Sequence, residues 1–251
     1  MNLLERLTEA EHKAFLARRQ RPLPGRAGPV RPFLDGVDPH IRLIAEYKRS
    51  SPSHGAFPAA HLDAVLRRYE AAGASAVSIL VAEEGFSGSL DDLLAARAGT
   101  RLPLLYKGFV SHPGQIDEAF AYGADAVLLI AAVLGRELPA FIRKAEATGL
   151  RPLVEVHGEV ELQAALSAGA GLVGINNRDL ASLACDLGVV LHLAPKAGPG
   201  VTLVAESGYR TLDAIEAAER AGAQAVLIGE ALLVQGGALL DAWSSQRAHV
   251  G

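Results

Sequence analysis

Gly73-Ala74-Ser75-Ala76-Val77 recurs as Gly123-Ala124-Asp125-Ala126-Val127, as Gly169-Ala170-Gly171-Leu172-Val173 and as Gly222-Ala223-Gln224-Ala225-Val226. The four phrases stand about 50 residues apart, a period that marks a repeated structural unit. Each follows a helix-like stretch and opens a short apolar run. A glycine just past a helix suits a left-handed C-terminal cap, and the small residues after it let the chain turn into a buried strand.

A strand-helix unit of an eight-fold α/β barrel takes roughly 25 to 30 residues, so the phrases mark every second strand. Their strands are expected over Val77 to Val81, Val127 to Ile130, Leu172 to Ile175 and Val226 to Ile228. The intervening strands are expected over Ile44 to Lys48, Leu104 to Lys107, Leu153 to Val156 and Leu203 to Glu206. Between them, apolar residues recur at spacings of three and four, as in Leu62, Val65, Leu66 and Tyr69, in Leu162, Ala165 and Leu166, and in Leu212, Ile215 and Ala218. Continuous apolar strands alternating with amphipathic helices imply a parallel sheet covered by helices. Eight units favour closure, and no Gly-x-Gly-x-x-Gly follows the first strand, which speaks against an open dinucleotide-binding sheet. The expected fold is a (β/α)8 TIM barrel, one domain over 1–251, with 1–40 as an N-terminal helical extension and 41–251 as the barrel.

Composition agrees with that size of core. The chain has 251 residues, 50% hydrophobic and 21% charged, with a net charge of −4 that suggests no nucleic-acid partner. No uncharged apolar run of about 18 residues offers a membrane span. The single cysteine, Cys185, reads as a loop residue or apolar filler and fits a reducing cytoplasm. The acidic start, with Glu5, Glu9 and Glu11, fits neither a signal nor a transit peptide. Arg18, Arg19, Arg21, Arg26 and Arg31 read as a solvated helix and linker. The eight histidines show no metal-ligand spacing, and His157 reads as a hydrogen-bond partner at the rim.

In such a barrel chemistry sits at the C-terminal ends of the strands. There the sequence places Glu46 and Lys48, two apart and so on one face, together with Lys107, Glu155, Asn176, Arg178 and Glu206, while Ser78 lies on the second strand. Charges are rarely buried without partners, and charges ending five strands on one face point to a site that separates an acid from a base. Ser207-Gly208 and Gly229-Glu230 end the last two strands before a helix, the usual phosphate position in these barrels. For Glu230 only the backbone N–H is expected to serve, since its carboxylate repels a phosphate.

The motifs resemble those of the indole-3-glycerol phosphate synthase family over essentially the whole chain. They are Ile44 to Ser53 (IAEYKRSSPS), Lys107 with Phe109, Leu153 to His157 (LVEVH), Gly174 to Leu180 (GINNRDL), Ala205 to Gly208 (AESG) and Leu227 to Leu232 (LIGEAL), with Arg31-Pro32-Phe33 before the barrel and Phe86-Ser87-Gly88-Ser89 after the second strand. The resemblance implies closure of an indole ring from 1-(2-carboxyphenylamino)-1-deoxyribulose 5-phosphate with loss of carbon dioxide and water. It implies Lys107 as acid, Lys48 for the substrate carboxylate or dehydration, Glu155 as base and Glu46 in later proton transfers. It further implies Asn176, Arg178, Glu206 and Ser207 as orienting groups, Ser51, Gly208, Gly229 and Glu230 around the phosphate or pocket rim, and Ser78 and Phe109 among the substrate contacts. No metal or organic cofactor is implied. The partner is a phosphorylated small molecule, with neither nucleic acid nor membrane, and the chain is expected as a monomer or weak homodimer.

Two positions depart from the family pattern. Val81-Ala82 stands where a threonine and an acid are usual, and Gly108 where an aspartate follows the strand-three lysine. Both missing acids flank Lys107, whose ammonium then needs Glu83, Glu84, Glu46 or Glu155 in compensation. The alternatives these changes raise are a diverged barrel acting on a related aryl-amino sugar phosphate and a non-catalytic barrel that binds a phosphorylated ligand.

Overall fold

A computed structural model describes residues 1–36, 38–57, 61–179, 182–234 and 237–248, with Leu180 of the strand-six motif outside the described residues. Eight parallel strands close into a ring: β1 (Arg42–Tyr47), β2 (Ala76–Leu80), β3 (Leu104–Lys107), β4 (Ala126–Ile130), β5 (Arg151–Val156), β6 (Leu172–Asn176), β7 (Thr202–Glu206) and β8 (Ala225–Ile228). Each strand pairs with its sequence neighbours, and β8 closes on β1 with Ile44 opposite Leu227. This is the expected TIM barrel, with strand ends within two residues of those read from the sequence. Around it run α1 (Leu3–Arg18), α2 (Leu62–Ala71), α3 (Leu90–Gly99), α4 (Gly114–Ala121), α5 (Ala131–Leu134), α6 (Leu138–Thr148), α7 (Glu159–Ser167), α8 (Gly188–Leu193), α9 (Leu212–Arg220), α10 (Glu230–Val234) and α11 (Ala238–Ala248).

The repeated phrase does what its glycine requires. Gly73, Gly123, Gly169 and Gly222 all have positive φ, from 74° to 112°, directly after α2, α4, α7 and α9. These are left-handed caps that a side chain would disfavour, and the following residues lead straight into β2, β4, β6 and β8.

Strand alternation then sorts the side chains. Ile44, Leu105, Leu128, Leu153, Val204 and Leu227 are buried in one cluster that fills the ring, while the opposite faces of the strands pack against the helices. Two residues further along four of the same strands, the inward face delivers Glu46, Lys107, Glu155 and Glu206. The mouth is therefore polar because the inward register of these strands ends in charge. On β2 and β4 the same register ends in Leu80 and Ile130, so that sector stays apolar.

The arginines before the barrel differ from the solvated linker expected of them. Asp125, fully buried ahead of β4 at the N-terminal end of the ring, accepts from Arg26 at 2.7 Å, from Arg97 at 3.1 Å and from the Arg31 backbone N–H at 2.8 Å. Arg31 donates to the carbonyls of Thr100 and Leu102. Arg18 of α1 pairs with Glu11 and with Glu118 of α4 at 2.6 and 2.8 Å. Three of the five arginines thus fasten the leading segment to the barrel, and Arg19 and Arg21 are left exposed. Buried carboxylates at Asp125 and Glu118 require such partners, which a reading by local composition does not detect.

Candidate active site

Lys107 is the hub of the mouth. Its Nζ lies 3.0 Å from Glu206 Oε2 and 3.3 Å from Glu46 Oε2, and Glu46 Oε1 lies 2.8 Å from Lys48 Nζ. Burial disfavours the ammonium of Lys107, but Glu206, Glu46 and Glu155 more than offset this and hold its pKa well above the ordinary lysine range. Burial likewise opposes the charge on Glu46, and Lys48 with Lys107 brings its carboxyl below the usual range. The missing family acids are therefore replaced, in part by a residue the sequence did not suggest for it. Glu206 is the nearest compensating carboxylate, Glu46 and Glu155 contribute, and Glu83 and Glu84 are exposed on the loop after β2.

Glycine makes room for two of these carboxylates. A Cβ at Gly174 would collide with Glu206 Oε1, and one at Gly229 would collide with Glu46 Oε1. Gly174 stands on β6 between Glu155 on β5 and Val204 on β7, so the Glu206 carboxyl leans across β6 over the space it leaves. Burial raises the Glu206 carboxyl, Lys107 pulls against this and Glu155 adds to it, leaving it easily protonated. Glu155 goes the other way: against burial, His157, Lys107 and Asn176 hold it ionised. One mouth thus holds an ammonium, an ionised carboxylate and a carboxyl that takes up or gives a proton near neutral pH, the combination acid–base chemistry needs.

Two adjoining cavities share Glu46, Lys48, Lys107, Arg178 and Ser207. The larger, about 510 Å³, opens between the ends of β7 and β8 and is lined there by Gly208, Tyr209, Arg210, Gly229 and Glu230. The smaller, about 110 Å³, reaches under β2 to β4 and is lined by Leu80, Phe86, Phe109, Leu128 and Ile130 beside Glu155 and Asn176. Phe86 and Phe109 face each other at 6.1 Å between ring centroids.

At the open end the Glu230 carboxylate is bound by Arg210 and lies 3.9 Å from Arg178 Nη2, so it is neutralised by two guanidinium groups. Ser207 and Gly208 both have positive φ, 65° and 86°. For a serine that conformation is costly, and the neighbouring Asn177 holds it, donating from Nδ2 to the Ser207 carbonyl at 3.1 Å and to Tyr209 Oη at 3.2 Å. Asn176 and Asn177 thus divide their labour: Asn176 faces the cavity and accepts from the Arg178 backbone N–H, while Asn177 braces the turn after β7.

Eleven of the fourteen sequence-selected residues, from Glu46 to Glu230, line one or both cavities, and Glu206, fully buried, meets them through Lys107. Ser78 lines neither: it is fully buried in the ring opposite Glu46. Ser51 is buried in a short hairpin, Ser50–Ser51 with Gly55–Ala56, and meets Ser53 at 3.3 Å, and it is Ser53 that lines the larger cavity. Strand order made Ser78 a candidate, and it is fully buried and lines neither cavity. The sequence reading did not single out Arg210, Tyr209, Leu80, Leu128 or Ile130 for the site. For the last three the signal was the inward register of β2 and β4.

A sequence model of the family described as indole-3-glycerol phosphate synthase matches residues 5–238. The chain belongs to this family. It is 42% identical over 244 residues to indole-3-glycerol phosphate synthase 1 of Streptomyces coelicolor, covering 93% of the chain and 90% of that protein. It is 45% identical over 201 residues to the indole-3-glycerol phosphate synthase of Mycolicibacterium smegmatis, covering 79% and 74%. Among solved structures, a 3-hexulose-6-phosphate synthase superposes with a TM-score of 0.62 at 18% identity, over 82% of this chain and 97% of that one, a likeness of fold alone. Family members are decarboxylating lyases, and the lysine-centred mouth is where this chain keeps the family's motifs together.

Proposed function

We propose that the mouth closes the indole ring of indole-3-glycerol phosphate from 1-(2-carboxyphenylamino)-1-deoxyribulose 5-phosphate, with Lys107 as the acid. The observation that carries this reading is the Lys107 ammonium, bound to Glu206 and held charged by Glu46 and Glu155, where the apolar and polar cavities meet. The aryl ring suits the apolar lobe between Phe86, Phe109 and Ile130, and the sugar phosphate suits the open end at Gly208, Gly229 and the Glu230 N–H. Lys48 and Arg178 stand between them and suit the substrate carboxylate.

In the first step the ring carbon bearing the carboxylate attacks the ketone, and Lys107 gives its proton to the developing alkoxide. Carbon dioxide then leaves, and its bonding pair restores the aromatic ring. In the second step the new hydroxyl departs as water, drawing a proton from an acid of the mouth, while Glu155 accepts the proton released as the indole double bond forms. Glu46 assists these transfers, and Asn176, Glu206 and Ser207 orient the substrate. The charge around Lys107 bears on the two alternatives. The changed contacts at Val81, Ala82 and Gly108 raise them, and beside those positions Lys107 keeps Glu46 and Glu155 as charged neighbours with Glu206 bound to it.

The test is turnover of that substrate by the purified chain, followed by indole fluorescence, with Lys107→Ala as control. Product from the native chain and at least a hundredfold less from the variant is the expected result. A folded native chain that forms no product contradicts the reading.

A further inference from the structure

His157 stands one residue beyond β5, on the same face as Glu155, and it is clamped from the far side. Glu161, in the first turn of α7, places Oε2 at 2.8 Å from the His157 backbone N–H and at 3.3 Å from its Nδ1. The other ring nitrogen, Nε2, is buried without a hydrogen-bond partner among the described residues, and Glu155 Oε1 lies 3.4 Å from it. The ring is thus fixed by one carboxylate and aimed at another.

This matters because Glu155 and Glu206 are two buried carboxyls side by side, and such a pair does not ionise twice at neutral pH. Lys107 touches Glu206 directly at 3.0 Å, so with Lys107 acting alone Glu206 would be the member to ionise and Glu155 would hold the proton. A protonated Glu155 cannot serve as a base. The charged groups facing Glu155 are Lys107, His157 and Glu206, and those facing His157 are Glu155 and Glu161.

We propose that Glu161 and His157 form a positioning pair that keeps a cation against Glu155, so that the proton shared by the two buried carboxyls rests on Glu206 and Glu155 begins each turnover as the base. This rests on the reading of Glu155 as the base. The electrostatics agree: burial opposes the charged imidazole, yet Glu155 and Glu161 lift its pKa to about 10.

The experiment has two arms. In the first, the pH dependence of kcat is compared for the native chain, His157→Gln and Glu161→Gln. Loss of the cation raises the Glu155 pKa, so the acid limb moves upward by about one pH unit or more in His157→Gln, with a smaller shift in the same direction in Glu161→Gln and KM changed less than kcat. A limb that stays in place in folded variants overturns the proposal. In the second, the native chain labelled with 15N-histidine is titrated by NMR, and the His157 signals are assigned through Glu161→Gln. Both ring nitrogens remain protonated to above about pH 8 if the pair works as described, and a neutral ring at pH 7.5 overturns it. The second arm needs neither turnover nor a folded His157 variant. A native chain without activity contradicts the proposed reaction, and the ring titration still decides whether His157 is the cation.

Discussion

Lys107 on β3 and Glu206 on β7 meet across the mouth of the barrel at 3.0 Å, and Glu46 of β1 joins them at 3.3 Å from the same ammonium. Three strands that are not neighbours thus converge on one ammonium. Removing the lysine leaves Glu206, Glu46 and Glu155 crowded without their common cation. Lys107→Ala is expected to lower kcat/KM by at least about a hundredfold and to lower the melting temperature measured at pH 7, because uncompensated buried carboxylates are costly. Fluorescence assays and thermal melts check both.

Gly174→Ala puts a methyl group where Glu206 Oε1 lies. The expected cost is about 1–3 kcal/mol of stability, typical of overpacking, with a fall in kcat as the Glu206 carboxyl is displaced from Lys107. Urea unfolding measures the first. In a Glu206→Ala background the same substitution should cost distinctly less, since the two residues are in contact.

Restoring the family acids is expected to gain nothing. A Cβ at Gly108 meets Val81 Cγ2 at 3.0 Å and Tyr106 Cε1 at 3.2 Å, so Gly108→Asp crowds the strand end. Lys107 already has its carboxylates. Gly108→Asp with Ala82→Glu should leave kcat/KM no higher than native and reduce stability by about 1 kcal/mol or more, read by steady-state kinetics and urea titration.

The charge cluster at the other end of the ring behaves differently from the one at the mouth. Asp125 holds Arg26, Arg97 and the Arg31 backbone together. Asp125→Ala strands two buried guanidinium groups and should cost about 3–5 kcal/mol, with the leading segment becoming open to proteolysis. An unchanged urea midpoint would show that the arginines find other partners.

The barrel was legible because its signals are local. A glycine that needs positive φ, small residues after it and a short apolar run identify each even strand without knowledge of the rest of the chain. The charged mouth was legible for a related reason, since Glu46, Lys107, Glu155 and Glu206 end strands whose other inward residues are apolar. What stayed hidden depends on neighbours in space. Gly174 and Gly229 read as ordinary strand or turn glycines, and their role as room for Glu206 and Glu46 follows from the register of adjacent strands. Glu206 as the partner of Lys107, Arg210 as the partner of Glu230 and Asp125 as the anchor of Arg26 join residues 99, 20 and 99 positions apart. Ser78 shows the converse: a polar residue read as a substrate contact is fully buried and lines neither cavity.

The central claim is that this mouth makes an indole, and the most direct measurement is the rate at which the purified chain converts 1-(2-carboxyphenylamino)-1-deoxyribulose 5-phosphate into a product with indole fluorescence and one equivalent of carbon dioxide. Turnover of about 1 per second or faster, abolished with Lys107→Ala, is the expected result. A folded chain that binds the compound and releases neither indole product nor carbon dioxide contradicts the account.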